Sequence, residues 1–207
     1  QPLGLFPLNK TGALDFAARA VAAIRKGKFT SELDKLIQEG RAYGSLGSSI
    51  DSGSCKKTGD FDVTALGLTW VLYEASLKPN SLSNETLSHL MRDLLPSGKL
   101  HYDKIDLEGC PNVSDTQTHI FITETSRYLT NQMIHRTLDS LKGNEDYDNS
   151  KNGFNDWMRE QLRSMYRNYF DDYNARPSES LNLTALHLLF NFSEDKSVRI
   201  LAKGLLH

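Results

Sequence analysis

The stretch from Asp115 to His135 is predicted to form one helix that carries polar groups on most of its sides. Cationic, anionic, amide and aromatic side chains interrupt its apolar residues, whereas a surface helix keeps its apolar residues in one stripe. A helix of this kind is predicted to lie buried among other helices, where its polar groups need hydrogen-bond partners. The rest of the chain therefore has to supply a multi-helix core.

Apolar residues recur at intervals of three and four in eight segments, and no segment shows convincing strand alternation. The predicted helices cover about 11–26, 30–43, 62–77, 84–95, 117–141, 153–173, 181–192 and, after a cap at Ser193, 194–207. Residues 1–10 are expected to form an extended arm. The predicted fold class is all-α, with residues 1–207 forming a single helical domain large enough to bury a core.

Short and long connections alternate between these helices, and this alternation predicts where the connections lie. If successive helices run antiparallel, one end receives the short turns near Gly27, Pro79, Asn144 and Ser193. The other end receives the non-periodic segments 44–59 and 97–114, the start of the fifth helix and the turn at 174–180. Long loops in a compact domain are usually functional, so the functional residues are predicted at this second end.

Cysteine and asparagine usage predicts the compartment. Cys55 and Cys110 are the two cysteines, and both lie in loop-like sequence at the predicted functional end. A disulfide between them is predicted for an oxidising compartment, with two unrelated free thiols as the alternative. N-glycosylation sequons number five, against about two expected by chance, and they lie at Asn9, Asn84, Asn112, Asn182 and Asn191. Because the chain also starts at Gln1, as a mature product or a fragment would, a secreted glycoprotein is expected.

Several functional classes find no support in the sequence. A net charge of -2 provides no basic stripe for nucleic acid, and no run of about 18 apolar residues could span a membrane. His119 and Glu124 are spaced wrongly to share a helix face as metal ligands, and no HExxH, CxxC, GxSxG, Walker or Rossmann motif occurs. The expected chemistry is therefore metal-free and cofactor-free acid–base chemistry by His and Tyr, with Arg and amide groups binding an anion.

Three segments carry a family resemblance: residues 59–95, DTQTHIFITETSRYLTNQM at 115–133, and NARPSESLNLTALHLLF at 174–190. Their organisation resembles an uncharacterised group of (α/α)-toroid proteins, similar in architecture to the helical domains of alginate, chondroitin and heparin lyases. The resemblance covers about residues 59–206 and implies antiparallel helix pairs in a partial (α/α) toroid or solenoid. Since a complete toroid needs on the order of 300 residues, the chain is expected to be part of a longer protein or to be completed by another chain.

The resemblance also implies roles for individual residues in the removal of a uronate C5 proton. His119 would be the base or its helper, Tyr128 the acid/base and Arg176 the clamp on the carboxylate. The remaining expected substrate-binding residues are Gln117, Asn174, Glu124 and Arg127. If the fifth helix is continuous from His119, Tyr128 lies about 13 Å further along its axis on the opposite face. Both residues can then contact one sugar only if His119 lies outside the regular helix.

Each of these residues also has a structural interpretation. His119 could be a hydrogen-bonded histidine at a helix start, Glu124 and Arg127 a helix-face ion pair, and Arg176 a tie to a helix C-terminus. Two functions therefore stay open, and the sequence does not decide whether the chain is an enzyme. One is a secreted protein that binds an acidic polysaccharide or cleaves it by β-elimination. The other is a non-catalytic extracellular scaffold that assembles with itself or with another chain, which the near-neutral charge favours.

Overall fold

The computed structural model of the protein describes residues 10–28, 30–42, 46, 50–52, 55–57, 61–100, 116–138, 140–141, 143–170 and 178–207. The chain divides into two compact units, Gln1–Leu95 (unit 1) and Pro96–His207 (unit 2), and each unit is described by itself. The described residues are predominantly helical, with eight α-helices among them, which confirms the predicted all-α class. The expectation of one domain over residues 1–207 stays a prediction.

Unit 1 contains four α-helices and one short hairpin among its described residues. These elements are α1 (Lys10–Lys26), α2 (Thr30–Glu39), β1 (Ile50–Ser52), β2 (Cys55–Lys57), α3 (Phe61–Leu77) and α4 (Asn84–His89). A π-helical turn, Leu90–Leu94, continues α4. The two strands pair antiparallel, with Ile50 opposite Lys57. The sequence shows no strand alternation here, because strands of three residues are too short to give a recognisable pattern.

Unit 2 contains the other four α-helices. They are α5 (Gln117–Thr137), α6 (Phe154–Asn168), α7 (Ser178–Phe192) and α8 (Lys196–Leu205), with a 3-10 turn at Glu145–Tyr147. Two of these helices end earlier than predicted, since α5 stops before an extended Leu138 and α6 stops before Tyr169. Tyr169 adopts a left-handed φ of 63°, a conformation that does not continue a right-handed helix.

The cap of the last helix also differs from the prediction, which placed it at Ser193. The structure has Asp195 as the N-cap of α8, and its Oδ1 accepts from the backbone N–H of Val198 at 2.9 Å. Ser193 is buried and its hydroxyl lies 3.1 Å from the Tyr128 hydroxyl. Both Ser and Asp are favourable N-cap residues. Which of Ser193 and Asp195 caps α8 therefore depends on the tertiary contact between Ser193 and Tyr128.

Helices two apart in sequence pack side by side in parallel within each unit. In unit 1, Gly67 of α3 brings the two backbones so close that an added Cβ would lie 3.0 Å from Ala17 Cβ of α1. In unit 2, Asn182 of α7 donates to Thr118 Oγ1 at 3.1 Å, and Gln132 of α5 donates to the Phe192 carbonyl at 3.1 Å. Since the starts and the ends of α5 and α7 thus match, these two helices run in the same direction.

Burial separates odd-numbered from even-numbered helices in unit 2. Fourteen residues of the 21-residue α5 are buried, whereas Val198 and Ala202 are the buried residues of the 10-residue α8. This confirms that the stretch around α5 is a buried helix. Helix α8 is amphipathic, as expected for a helix that covers a core on one side and faces solvent on the other.

The predicted grouping of short turns is confirmed inside each unit. In unit 1, Lys78 Nζ donates to the Arg25 carbonyl at 2.8 Å, which brings the turn near Pro79 to the turn near Gly27. In unit 2, Asn149 and Glu194 both bind the C-terminal half of α5. The short turns of unit 2 therefore meet at one end of that unit.

Candidate functional site

The residues predicted for catalysis lie at different ends of α5. Helix α5 is regular from Gln117 onwards, and Thr116 caps it by accepting from the His119 backbone N–H at 3.3 Å. His119 is therefore part of the regular helix, and Tyr128 lies nine residues, or about 13 Å, further along the axis. Since contact of both residues with one sugar would require His119 to lie outside the regular helix, the structure does not bring His119 and Tyr128 to one sugar.

Tyr128 is a fully buried residue whose hydroxyl is engaged within unit 2. The hydroxyl donates to Asn155 Oδ1 at 2.8 Å and lies 3.1 Å from Ser193 Oγ. Burial raises the pKa of this hydroxyl well above its ordinary value, because the phenolate would lose its hydration. These contacts give Tyr128 a packing role at the short-turn end of unit 2.

Glu124 and Arg127 form the ion pair that was the structural interpretation of their spacing. Arg127 Nε donates to both Glu124 oxygens, at 3.1 and 3.3 Å, and its Nη1 donates to the Ser97 carbonyl at 2.9 Å. Glu124 is buried. Because a buried carboxylate needs a cation and hydrogen bonds, this pair fixes residues 97–98 onto α5 and leaves little of Glu124 for a substrate.

Several predicted residues lie outside the described part of the chain. They are Asn9, Cys110, Asn112, Asn174 and Arg176. Cys55 belongs to β2, but its side chain is also outside the described part. The predicted disulfide and the predicted arginine clamp therefore stay predictions.

The three described sequons differ in accessibility. Asn84 and Asn191 are exposed, and Asn191 Nδ2 donates to the His187 carbonyl at 2.7 Å. Asn182 is 1% exposed, and its Nδ2 is the donor to Thr118. A glycan on Asn182 would require that buried contact to open, so the fold favours Asn84 and Asn191 as carriers.

A polar cleft of about 270 Å³ opens at the short-turn end of unit 2, and we call it the short-turn cleft. It is lined by Tyr128, Gln132, His135, Tyr147, Asp148, Asn149, Ser150, Asn155, Glu194 and Asp195. Helix α5 forms its floor, the 147–155 segment one wall and the α7–α8 turn the other. The cleft thus combines one partly buried tyrosine, Tyr147, with several polar side chains.

Two buried asparagines hold the wall of the cleft in place. Asn131 Nδ2 donates to Asn149 Oδ1 at 3.1 Å and to the Gly98 carbonyl at 2.9 Å, and its Oδ1 accepts from the Gly98 N–H at 2.8 Å. Asn149 Nδ2 donates in turn to the Tyr128 carbonyl at 2.8 Å. Because these amides are buried and bonded at both ends, the adjacent Asp148 and Ser150 are held in fixed positions.

Three carboxylates give the cleft an acidic character. Ser150 donates to Asp148 through its N–H at 3.0 Å and its hydroxyl at 2.6 Å, and these bonds lower the pKa of Asp148. Burial alone would raise the pKa of Asp195, but Arg159 and the Val198 N–H together lower it. Both groups are therefore anionic at neutral pH, and their oxygens are available as hydrogen-bond acceptors.

The cations near the cleft neutralise these carboxylates in part. Arg159 forms an ion pair with Asp195, Arg136 Nη1 lies 3.8 Å from Glu194 Oε1, and His135 Nε2 lies 4.0 Å from Asp148 Oδ2. The last two contacts are long, so Glu194 and Asp148 keep accepting capacity. In the part of the chain that is described, no cluster of His, Cys, Asp and Glu is arranged to hold a metal ion.

Sequence reasoning did not assign this cleft. The segment 143–151 was interpreted only as a polar turn, although the density of polar groups on α5 indicated that they needed partners. Asn131 and His135 are two such groups on α5, but nothing in the spacing identified Asn149 as the partner of Asn131. That pairing depends on how the turn folds back onto α5.

Comparisons with protein-family models, with curated proteins and with solved structures found no match to the chain. Among the described helices, none is long and apolar enough to cross a membrane.

Proposed function

We propose that the protein is a carbohydrate-binding helical protein of the (α/α)-toroid type, and that the short-turn cleft takes the hydroxyl groups of a glycan. The observation that carries the proposal is the cleft itself, which combines a tyrosine and carboxylate oxygens with a wall fixed by the buried hydrogen bond between Asn131 and Asn149. Sugars present hydroxyl donors together with apolar C–H faces, and such a cleft offers acceptors and an aromatic surface for both.

The packing of helices supports the toroid part of the proposal. Parallel contacts between helices two apart, such as α5 with α7 and α6 with α8, are expected when antiparallel helix pairs repeat side by side in two layers. The burial of α5 and the amphipathic character of α8 agree with an inner and an outer layer. These features support a partial toroid or solenoid, as the sequence resemblance implied.

Binding is favoured over β-elimination by the positions of the proposed catalytic residues. Tyr128 is buried and engaged at one end of α5, while His119 lies in the first turn at the other end. An acid and a base must both reach the reacting sugar. We therefore propose binding without cleavage, in a secreted glycoprotein that carries its glycans on Asn84 and Asn191.

Affinity electrophoresis in gels that contain dextran, β-glucan, alginate, chondroitin sulfate or heparin tests the proposal. At least one of the two neutral polymers, dextran or β-glucan, should retard the protein, and a Tyr147→Ala/Glu194→Gln variant should lose that retardation. Glu39→Gln is the matched control, because Glu39 is at least as exposed as Glu194 but lies on α2, outside the cleft. Retardation by dextran or β-glucan that survives the cleft variant, or no retardation by either neutral polymer, would refute binding in the cleft.

The same polymers also test for cleavage. Incubation with alginate, chondroitin sulfate and heparin should give no increase in the absorbance of an unsaturated product. An increase that His119→Ala abolishes would show that the protein is a lyase and would overturn the binding-only proposal.

A scaffold function is the second candidate, and one observation favours it. Tyr166, Tyr169 and Ile200 are 47%, 70% and 58% exposed in unit 2, and exposed apolar groups of this size are common at protein–protein contacts. A mass that rises with concentration in light scattering, and that falls in Tyr166→Ser, would support the scaffold.

A further inference from the structure

The outer surfaces of α6 and α8 join into one exposed face. Arg159 of α6 forms an ion pair with Asp195 at the start of α8, and the Tyr166 hydroxyl occupies the space where Gly204 would carry a Cβ. These contacts hold the two helices side by side along their length. We call the exposed residues of the pair the α6–α8 face, and the ones that matter are Arg163, Tyr166, Arg167, Lys196, Arg199, Ile200 and Lys203.

Positive charge is concentrated on this face. Its exposed residues include five cations, whereas the exposed carboxylates of the two helices are Asp156 and Glu160. Asp156 accepts from Arg159 at 2.8 Å, and Glu160 is shared by Arg163 at 3.8 Å and Arg167 at 2.5 Å. The face is therefore basic on a chain whose net charge is -2.

The cations of α8 are the least neutralised part of the face. Among the residues that the structure describes, no carboxylate lies within ion-pair distance of Lys196, Arg199 or Lys203. Their spacing of three and four places them in one row, about 10 Å long from the helical rise. Lys203 Nζ lies 5.9 Å from the centre of the Phe190 ring, which leaves its charge open to an anion from solvent.

Apolar surface lies between the cations of the two helices. Tyr166 touches Gly204, and Ile200 is one helical turn before Gly204 on α8. The tyrosine ring and the isoleucine are thus flanked by Arg163 and Arg167 on one side and by the α8 row on the other. A ligand that matches this pattern has anionic groups at its edges and an apolar C–H face between them.

We propose that the α6–α8 face binds a linear acidic polysaccharide, with its sulfate or carboxylate groups on the cations and a sugar ring against Tyr166. The inference rests on the proposed carbohydrate-binding function and names the class of glycan. The acidic short-turn cleft cannot attract a polyanion, whereas this face can. In this proposal the α6–α8 face binds the anionic groups of the glycan, and the short-turn cleft binds its hydroxyl groups.

Heparin and alginate are the probes, with neutral dextran as the uncharged polymer. Lys196→Gln/Arg199→Gln/Lys203→Gln should weaken binding to heparin about tenfold or more at physiological salt, because three attractive charges are lost. The matched control is Lys26→Gln/Lys28→Gln/Lys35→Gln, which removes the same net charge from exposed positions of unit 1. That control should change the affinity by about twofold at most. Biolayer interferometry measures both variants.

Each other outcome would overturn the proposal. Equal weakening by the two triple variants would mean that only net charge matters, and affinity that does not fall with added salt would exclude ion pairing. Tighter binding of duplex DNA than of heparin would assign the face to nucleic acid. A concentration-dependent mass that the α8 variant abolishes, without heparin binding, would make the face a contact between copies.

The cleft variant separates this inference from the proposed function. If Tyr147→Ala/Glu194→Gln loses neutral-glycan binding and keeps heparin binding, both hold. If neutral glycans never bind but heparin binding depends on the α8 row, the cleft proposal fails and the α6–α8 face stands. If heparin binding depends on the cleft and not on the α8 row, the face proposal fails alone.

Discussion

Replacing Tyr128 with phenylalanine separates a packing role from a catalytic one. The substitution removes the hydroxyl that donates to Asn155 Oδ1 at 2.8 Å and contacts Ser193 Oγ at 3.1 Å. It keeps the ring, which makes an edge-to-face contact with Phe154 at a centroid distance of 5.5 Å. Because Tyr128 is fully buried, the variant loses hydrogen bonding of a core residue.

The expected cost is a loss of about 1–2 kcal/mol in the free energy of unfolding, since a buried hydrogen bond contributes about 1 kcal/mol and an unsatisfied buried partner adds to the loss. Ser193 can still donate to the Asp195 carbonyl, 3.4 Å away, and Asn155 lines the cleft. Each partner therefore loses only part of its hydrogen bonding. For a chain of this length the loss corresponds to a Tm decrease of about 2–8 °C. Tyr128→Ala should cost about 3–5 kcal/mol, because the ring is lost as well.

Urea denaturation followed by circular dichroism measures both variants. Tyr147→Phe is the matched control, because Tyr147 is only partly buried and its hydroxyl bonds no residue in the described part of the chain. It should change stability by about 0.5 kcal/mol at most. If Tyr128→Phe is as stable as the control and instead abolishes a cleavage activity, the packing argument is wrong.

Three further perturbations test the two units separately. Glu74 is buried, and its pKa is lowered mainly by hydrogen bonds from Arg25. The stabilisation from this pair is therefore present at neutral pH and is lost as the pH falls through the folded pKa of Glu74, below 4.5. Arg25→Met should reduce this acid dependence in urea titrations, and an unchanged pH profile would contradict it. Gly67→Val forces atoms into the α1 backbone and should cost about 1–3 kcal/mol in chemical denaturation; wild-type stability would show that α1 and α3 can separate freely. Asn131→Ala breaks three hydrogen bonds, whereas Asn182→Ala breaks one. In thermal unfolding, Asn131→Ala should therefore be less stable than Asn182→Ala by about 1 kcal/mol or more. The reverse order would refute the role given to Asn131.

The helices could be predicted because their apolar periodicity is local. A favourable N-cap residue precedes α4, where Ser83 Oγ accepts from the Thr86 N–H at 3.2 Å, whereas Thr30 is already the first residue of α2. Helix ends were less predictable, because they depend on single backbone conformations such as that of Tyr169. The connection lengths predicted that successive helices run antiparallel, so that helices two apart run in the same direction. The contacts between α5 and α7 confirm this within unit 2.

The candidate site was harder to predict than the fold. The sequence placed function at the long-loop end, around His119 and Arg176, while the described cleft lies at the short-turn end of unit 2. Its residues come from three segments, 128–135, 147–155 and 194–195, which meet only because α5 and α7 are parallel. The sequence of a polar turn does not indicate whether the turn packs against a helix or is exposed to solvent.

The two-layer packing of unit 2 also sets where substitutions are tolerated. Most of α5 faces neighbouring side chains, so nearly every exchange there changes a packed or bonded group, whereas most positions of α8 face solvent. Random mutagenesis should therefore leave α8 and the outer side of α6 free to vary in charge while α5 stays nearly fixed. The charge of the outer helices can therefore change without rebuilding the core that carries them.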